Sequence, residues 1–209
     1  MKHLYLLFAV LFFSACSKEE VHGPFKLKNG QEVELVVDHR YGSINDKLLI
    51  LPQNEATGMS LHGFPERKPG YTYRVKAKFN IDLNPPQDAS DRWFNFAKVI
   101  SEEKYMGDES FDISLIKSYI PGGPFIDMGK IDDQYIYIKD KLELTYANQT
   151  VKDQLEEIWQ HSLEMRQKWE ETKQTPDPKW RFIKATVKHD PAKFGKAYLV
   201  QHIEFTLKN

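Results

Sequence analysis

Residues 71–82 read YTYRVKAKFNID, and apolar and polar side chains alternate through the whole stretch. Successive side chains of a strand point to opposite faces, so this pattern predicts a strand with one buried and one solvated face. The predicted buried face carries Tyr73, Val75, Ala77, Phe79 and Ile81, and the solvated face carries Thr72, Arg74, Lys76, Lys78 and Asn80. A sheet is therefore expected to form the centre of the fold.

Proline interrupts the chain directly after this strand, in Asn84-Pro85-Pro86-Gln87-Asp88. Proline lacks an N–H donor and keeps its predecessor extended, so the chain must leave the sheet here before it returns. Other segments with strand patterns lie at residues 31–38, 47–51, 93–100, 111–116, 135–139, 142–146, 180–188 and 197–207. Residues 71–82 and 93–100 are predicted to form a long hairpin.

One helix is predicted, over about residues 150–173. Thr150 with Asp153 approximates a capping box, and Pro176-Asp177-Pro178 would end the helix. We interpret its apolar stripe as a core face rather than a ligand or lipid platform, because helical spacing of apolar residues suits packing against a sheet. The stripe consists of Val151, Leu155, Ile158, Trp159, Ser162, Met165 and Trp169, and the polar side mixes Glu156, Glu157, Glu164 and Arg166.

These patterns predict an α+β fold that is mainly β. Antiparallel sheets would form a barrel- or sandwich-like core, with one amphipathic helix. Composition agrees with a globular chain, and the 29 basic and 30 acidic side chains show no Lys/Arg run that would follow a phosphate backbone. Nucleic acid is therefore not expected as a partner.

The first residues have the form of a secretory signal. Met1-Lys2-His3 is basic, and an unbroken apolar run follows from Leu4 to Phe13. This run is too short to span a bilayer, which needs about 20 helical residues. Residues 1–15 are therefore predicted to be a signal peptide.

The only cysteine, Cys16, follows directly. The run Phe13-Ser14-Ala15-Cys16 resembles the bacterial lipobox, which implies that Cys16 becomes the lipidated N-terminus and that a membrane holds the protein through this anchor. The alternative is an ordinary signal with an incidental cysteine. A single cysteine also excludes an internal disulfide and a multi-thiolate zinc site.

Residues 16–24 are predicted to be a lipidated tether. The acidic pair in Ser17-Lys18-Glu19-Glu20 resembles the surface-export signal of lipoproteins in Bacteroidota-type bacteria, and a plain solvated tether explains it equally well. The expected location is the outer membrane of a Gram-negative envelope. Whether the protein faces the periplasm or the cell surface stays open.

Three stretches resemble an uncharacterised bacterial envelope family that is classed as a domain of unknown function. They are His62-Gly63-Phe64, residues 69–75 (PGYTYRV) and residues 84–90 (NPPQDAS), within a likeness that covers roughly residues 30–105. Members often accompany META domains of the HslJ type. The resemblance implies secretion, lipidation and a small β-rich domain without established chemistry. It makes Gly63, Pro69 and Gly70 turn formers, and Phe64 and Tyr73 core residues.

The mature chain is predicted to have two β-rich parts, residues 25–106 and residues 107–209, the second with the helix. The second part is either a diverged repeat or part of the same domain. The hairpin sequences YRVKA (73–77) and FNFAKVI (94–100) are loosely echoed by WRFIKA (180–185) and YLVQHI (198–203). The register and connectivity of the two hairpins test this duplication.

No established catalytic motif is present, and no catalytic residue, metal site or cofactor is predicted. His22, His39, His62, His161, His189 and His202 do not pair at ligand spacing. Asp127, Asp132 and Asp133 surround Gly129 without a calcium-loop pattern, so a solvated turn is the better interpretation. The aromatic residues either pack the core or line a carbohydrate or peptide groove.

Two functions follow as hypotheses. The first is a lipid-anchored envelope protein whose non-catalytic module binds an unknown protein or glycan. The alternative is an envelope hydrolase or glycan-processing enzyme whose site is assembled from scattered residues such as Asp88, His62 and Asp190. Convergence of these side chains in one pocket would favour the enzyme.

Overall fold

A computed structural model describes residues 20–87, 89–119, 123–138 and 142–208. Cys16, the predicted signal peptide at 1–15 and Asp88 lie outside these ranges. The elements are β1 (Val21–His22), β2 (Leu27–Lys28), β3 (Glu32–Val37), β4 (Leu48–Ile50), β5 (Glu55–Ala56), β6 (Leu61–His62), β7 (Tyr71–Ile81), β8 (Arg92–Lys104), β9 (Phe111–Ser114), β10 (Ile116–Tyr119), β11 (Gly123–Ile126), β12 (Gly129–Ile131), β13 (Gln134–Tyr137), β14 (Leu142–Tyr146), α1 (Gln149–Thr172), β15 (Trp180–His189), a short 3-10 turn (Pro191–Lys193) and β16 (Ala197–Leu207). The predicted class, α+β and mainly β, is confirmed.

The first sheet is built on the long β7–β8 hairpin, with strand order β5-β4-β3-β7-β8-β6. Tyr73, Val75, Ala77 and Phe79 are buried as the alternation predicts, while Arg74 and Lys78 on the other face are exposed. Leu35 and Phe94 join them in one apolar cluster. The sheet is strongly curled and contributes to a half-barrel.

The second sheet has the order β12-β13-β14-β16-β15-β9, and helix α1 covers one face of it. Its core is a separate cluster of buried residues contributed by strands and helix together, among them Ile113, Tyr137, Leu144, Leu155, Ile158, Ile183, Val187 and Val200. Each sheet therefore has its own apolar core.

Helix α1 begins at a different capping residue from the predicted one. Asn148 is the N-cap, and its Oδ1 accepts a hydrogen bond of 3.0 Å from the Val151 N–H. Asn148 has extended backbone angles, which a residue before the first helical turn requires, so Thr150 falls inside the helix. At the other end Lys173 adopts a left-handed conformation, and its N–H donates to the Trp169 carbonyl.

The two sheets share a pattern of strand pairing around their long hairpins. β7 pairs with the earlier antiparallel β3 and β8 with the parallel β6, just as β15 pairs with antiparallel β9 and β16 with parallel β14. The two hairpins with similar sequences differ in their residue register. The alanine that ends the first strand segment pairs with Phe96 near the start of its partner segment in one hairpin, as Ala77, and with Ile203 at the end of its partner segment in the other, as Ala185. The likeness is thus one of topology alone, and the different register counts against a duplication.

The sheets meet at what we call the seam, formed by residues 38–46, 67–71, 104–113 and 189–198. Loop 38–46 leaves β3 and crosses to the second sheet, where the Ile44 N–H donates to the Asp112 carbonyl at 2.9 Å. The hydroxyls of Tyr198 and Tyr137 donate to the carbonyls of Tyr41 and Gly42 at 2.8 and 2.6 Å. Two buried tyrosines of one sheet thus hold a loop of the other.

The start of the described chain lies at the opposite end of the β7–β8 hairpin from the seam. The Gly30 N–H donates to the Phe79 carbonyl at 2.8 Å, and His22 and Ile81 line one cleft. At the seam end of the hairpin, the Tyr71 ring contacts Phe194 edge to face. The predicted tether therefore joins the first sheet at its end remote from the second.

Candidate binding groove and the histidine seam

The apolar stripe of α1 is covered by the sheet only in its first half. Val151, Leu155 and Ile158 are buried, whereas Trp159 is half-buried and Trp169 is 47% exposed. Trp159 still packs against the core, so the interpretation of the whole stripe as a core face is wrong only for the C-terminal half beyond Trp159. This half borders β11, β12 and the loop between them.

Between these elements lies a surface that we call the helix groove. It consists of two adjoining hollows that share Ile126, Met128 and Arg166 in their lining. The first hollow, of about 360 Å³, is further lined by Ile131, Ile136, Ile138 and Trp159 among others. The second, of about 230 Å³, is further lined by Phe125, Met165, Trp169 and Pro176 among others.

Most charged groups around the helix groove are already paired. Lys117 lies 2.5 Å from the Asp127 carboxylate, and Lys130 lies 2.7 Å from that of Glu156. Lys130, Gln160 and the Tyr135 hydroxyl together lower the pKa of Glu156 to about 2. The predicted solvated turn around Gly129 is thus one wall of a groove.

Arg166 is the exception among these charges. Its side chain is exposed and lines both hollows, and it makes no ion pair or hydrogen bond with any residue of the described ranges. An unpaired guanidinium beside apolar walls attracts an anion, and carboxylates fit its geometry best.

A second candidate site is at the seam, where the fold brings together two histidines separated by 150 residues. Nδ1 of His39 and Nε2 of His189 are 2.9 Å apart. The His39 ring stacks on Tyr105 with centroids 3.6 Å apart, and His189 is 7% exposed. Nδ1 of His189 has no hydrogen-bond partner among the described residues.

The cost of burying an unpaired N–H group indicates which of the two rings donates the hydrogen bond. If His189 donates through Nε2, its unpaired Nδ1 carries only a lone pair, which costs less to bury than an unpaired N–H. The proton of His39 then lies on Nε2, which is 3.8 Å from an Asp38 oxygen. Burial and the neighbouring His39 lower the pKa of His189 to about 4. Burial also lowers the pKa of His39, although Asp38 opposes this effect.

A cleft of about 300 Å³ opens beside His39 and is lined also by Arg40, Glu109 and Ser110. These groups are largely engaged elsewhere. The Arg40 side chain and N–H bind the Asp38 carboxylate, and the Ser110 hydroxyl lies 2.5 Å from Gln201 Oε1. The seam is thus a packed junction with a cleft beside it, and two of the polar side chains that line the cleft already have partners.

His62 and Asp190, two of the residues predicted for an enzymatic site, do not meet. His62 is on β6, where it contacts the Ser60 hydroxyl at 2.9 Å and stacks near Trp93. Asp190 is buried in the turn after β15, where its carboxylate accepts hydrogen bonds from Thr145 and from the Ala192 N–H. Asp88 lies outside the described residues. Asp190 therefore has a structural role in the hairpin turn.

In the described ranges, no group of three His, Cys, Asp or Glu side chains could hold a metal ion. The described residues contain no helical segment whose length and hydropathy would let it span a bilayer. Comparison with known proteins finds no matching family model, curated protein or solved structure.

Sequence reasoning missed both candidate sites for identifiable reasons. His39 and His189 come from different sheets, so no local spacing relates them. The helix groove had a weak signal, because Ile126, Met128 and Ile131 are apolar residues within a segment interpreted as a turn.

Proposed function

We propose that this chain is a lipid-anchored protein of a Gram-negative bacterial envelope, and that its folded part is a non-catalytic module that binds a partner through the helix groove. The observation that carries the binding role is the groove itself, an apolar surface with one unpaired cation, Arg166. Apolar surface left uncovered on a folded chain is typical of interaction sites.

The position of the predicted anchor supports this arrangement. Glu20 follows Cys16 by four residues, which reach at most about 14 Å when fully extended. The start of the described chain packs at the tip of the β7–β8 hairpin, near Phe79 and Ile81. Eleven strand residues at about 3.3 Å each separate that tip from the seam by up to about 35 Å. The first sheet would therefore hold the second sheet and its groove away from the membrane.

The alternative, an envelope hydrolase or glycan-processing enzyme, has less support. His62 lies on β6 of the first sheet and Asp190 in the turn after β15 of the second, and the two have different neighbours. The His39–His189 pair is the best remaining candidate for proton transfer, but one nitrogen of His189 is used by His39 and the other faces the packed Gly70 region.

Replacement of Cys16 tests the anchor. Cells that produce the wild-type chain, Cys16→Ala or the control Ser17→Ala are grown with radiolabelled palmitate and then fractionated. We expect label and membrane association for wild type and Ser17→Ala, and loss of both for Cys16→Ala. Unchanged labelling and unchanged fractionation of Cys16→Ala would contradict the anchor.

A further inference from the structure

We propose that the helix groove receives an extended peptide segment of a partner protein, in which one carboxylate side chain lies between two apolar side chains. This inference rests on the proposed binding function and names the chemistry of the partner. Three features of the groove carry it: the order of its hollows, its single unpaired charge and the free edge of β12.

The order of the hollows sets the order of the ligand's side chains. One apolar hollow is bounded by Ile131 and Trp159, and the other by Met165 and Trp169. Arg166 lines both hollows and therefore stands where they adjoin. A ligand that fills both hollows must pass this guanidinium, so an apolar, acidic, apolar sequence of groups matches the surface.

The charge at the centre selects an anion. Asp127 and Lys130 also line the groove, but Lys117 and Glu156 neutralise them. The unpaired charge is thus the positive one on Arg166, and a carboxylate would form a charge-assisted hydrogen bond with it. Burial of Trp169 and Ile131, which are 47% and 55% exposed, would supply apolar contact on either side.

The edge of the second sheet favours an extended backbone. β12 is an edge strand, and among the described residues it pairs only with β13, so no described strand occupies the other side of Gly129–Ile131. A Cβ placed on Gly129 would meet nothing within 4 Å, so the face of β12 is open at this residue. In an added strand, alternate side chains face the groove, and they supply the apolar, acidic and apolar groups at positions i, i+2 and i+4.

A neutral glycan fits this surface less well. Binding of a sugar requires several polar groups to satisfy its hydroxyls. The Ser162 hydroxyl already donates to the Trp159 carbonyl at 2.7 Å, and the acidic and lysine side chains are paired. The lining that remains is mainly apolar, which suits leucine-like side chains.

Defined peptides test the inference on the full lipidated chain in nanodiscs. The probe is a fluorescein-labelled peptide in which leucine, glutamate and leucine occupy alternate positions and threonine fills the others. A second peptide replaces glutamate with glutamine, and a third carries N-methyl groups on its backbone amides. Anisotropy measures binding to wild type, to Arg166→Gln and to the control Arg181→Gln, an exposed arginine on β15.

We expect saturable binding of the glutamate peptide to wild type and to Arg181→Gln, and about tenfold weaker binding to Arg166→Gln. The glutamine peptide should bind wild type and Arg166→Gln equally and weakly, and N-methylation should abolish binding. Trp169→Ala should weaken both unmodified peptides. Circular dichroism confirms that each variant is folded.

Several results would overturn the inference. The first is that the glutamate peptide shows no saturable binding, and the second is that the glutamate and glutamine peptides bind equally. The third is that Arg166→Gln and Arg181→Gln have equal effects. The fourth is that a neutral glucan oligosaccharide, and not the peptide, binds in the groove. Failure of peptide binding with intact acylation of Cys16 would contradict the groove's ligand and leave the anchor standing. Loss of acylation with intact peptide binding would do the reverse.

Discussion

At the scale of single residues, the His39–His189 pair gives the seam a dependence on pH. The unfolded chain binds a proton on His189 near the ordinary pKa of 6.5, whereas the folded chain does so only near 4. Between these values the unfolded state holds more protons, so stability falls as the pH falls, and below about pH 4 the effect is complete. Each pH unit in this window costs about 1.4 kcal/mol for one such group.

Urea unfolding of the protein between pH 4 and pH 7 checks this prediction. His189→Gln should lower stability at pH 7 and flatten the decline toward pH 4, because the group that titrates differently in the two states is gone. His202→Gln serves as control, since His202 is an exposed histidine on the neighbouring strand β16. A slope that is the same in wild type and His189→Gln would show that other groups cause the pH dependence.

Gly70 makes a second prediction about the seam. Its φ is +80°, and a Cβ there would lie 2.7 Å from Cζ of Phe194. Gly63 has a similar φ of +78°, but a Cβ there would meet nothing within 4 Å. Both Gly→Ala variants carry the strain of a left-handed conformation, and only Gly70→Ala adds a clash, which should cost about 1–3 kcal/mol more.

Thermal and urea unfolding of the two glycine variants measure this difference directly. Equal losses for Gly63→Ala and Gly70→Ala would mean that Phe194 moves aside freely and that packing at the seam is loose. A larger loss for Gly70→Ala would show that the seam contributes to the stability of the whole chain.

At the scale of elements, the structure and the sequence pattern give different N-cap residues for α1, Asn148 and Thr150. Asn148 accepts the Val151 N–H, so Asn148→Ala should destabilise the protein by about 1 kcal/mol. Thr150→Ala removes a hydroxyl inside the first turn and should cost clearly less. Urea unfolding of both variants measures the difference, and an equal or larger loss for Thr150→Ala would contradict Asn148 as the cap.

Periodicity predicted the long elements well, because burial on one face imposes it. The alternating apolar residues of Tyr71–Ile81 and the apolar stripe from Val151 to Ile158 both contribute buried side chains to a core. Strands β1, β5 and β6 are only two residues long, which is too short for an alternating pattern to be recognised in the sequence. The parallel pairs β6–β8 and β14–β16 depend on contacts between distant segments, which periodicity does not encode.

The candidate sites were less predictable than the fold for a related reason. The C-terminal half of the apolar stripe of α1, with Trp159 and Trp169, has the same helical spacing of apolar residues as the first half. What differs is whether a strand covers these residues, since residues of β11, β12 and this part of α1 line an open groove. Likewise His39 and His189 become neighbours only when loop 38–46 reaches the second sheet.

At the scale of the whole molecule, the two sheets are joined at the seam by buried polar contacts and aromatic packing rather than by one shared apolar core. Arg67 holds loop 38–46, which makes several of these contacts, through hydrogen bonds to Asp46 at 2.6 and 2.9 Å and to the Asp38 carbonyl at 2.8 Å. Its guanidinium also lies 4.5 Å from the centre of the Tyr41 ring. This arrangement fixes the loop that links the sheets and so fixes the direction in which the groove is presented.

That direction is testable because Cys16 is the only cysteine and would be blocked by lipid. A dye on Leu83→Cys reports the hairpin tip near the tether, and a dye on Glu170→Cys reports the helix groove; both side chains are exposed. Energy transfer to an acceptor lipid should be strong from position 83 and weak from position 170, since the first sheet separates the groove from the anchored end. The same dyes on Cys16→Ala protein give the background, and equal transfer from both positions would mean that the molecule lies flat on the membrane.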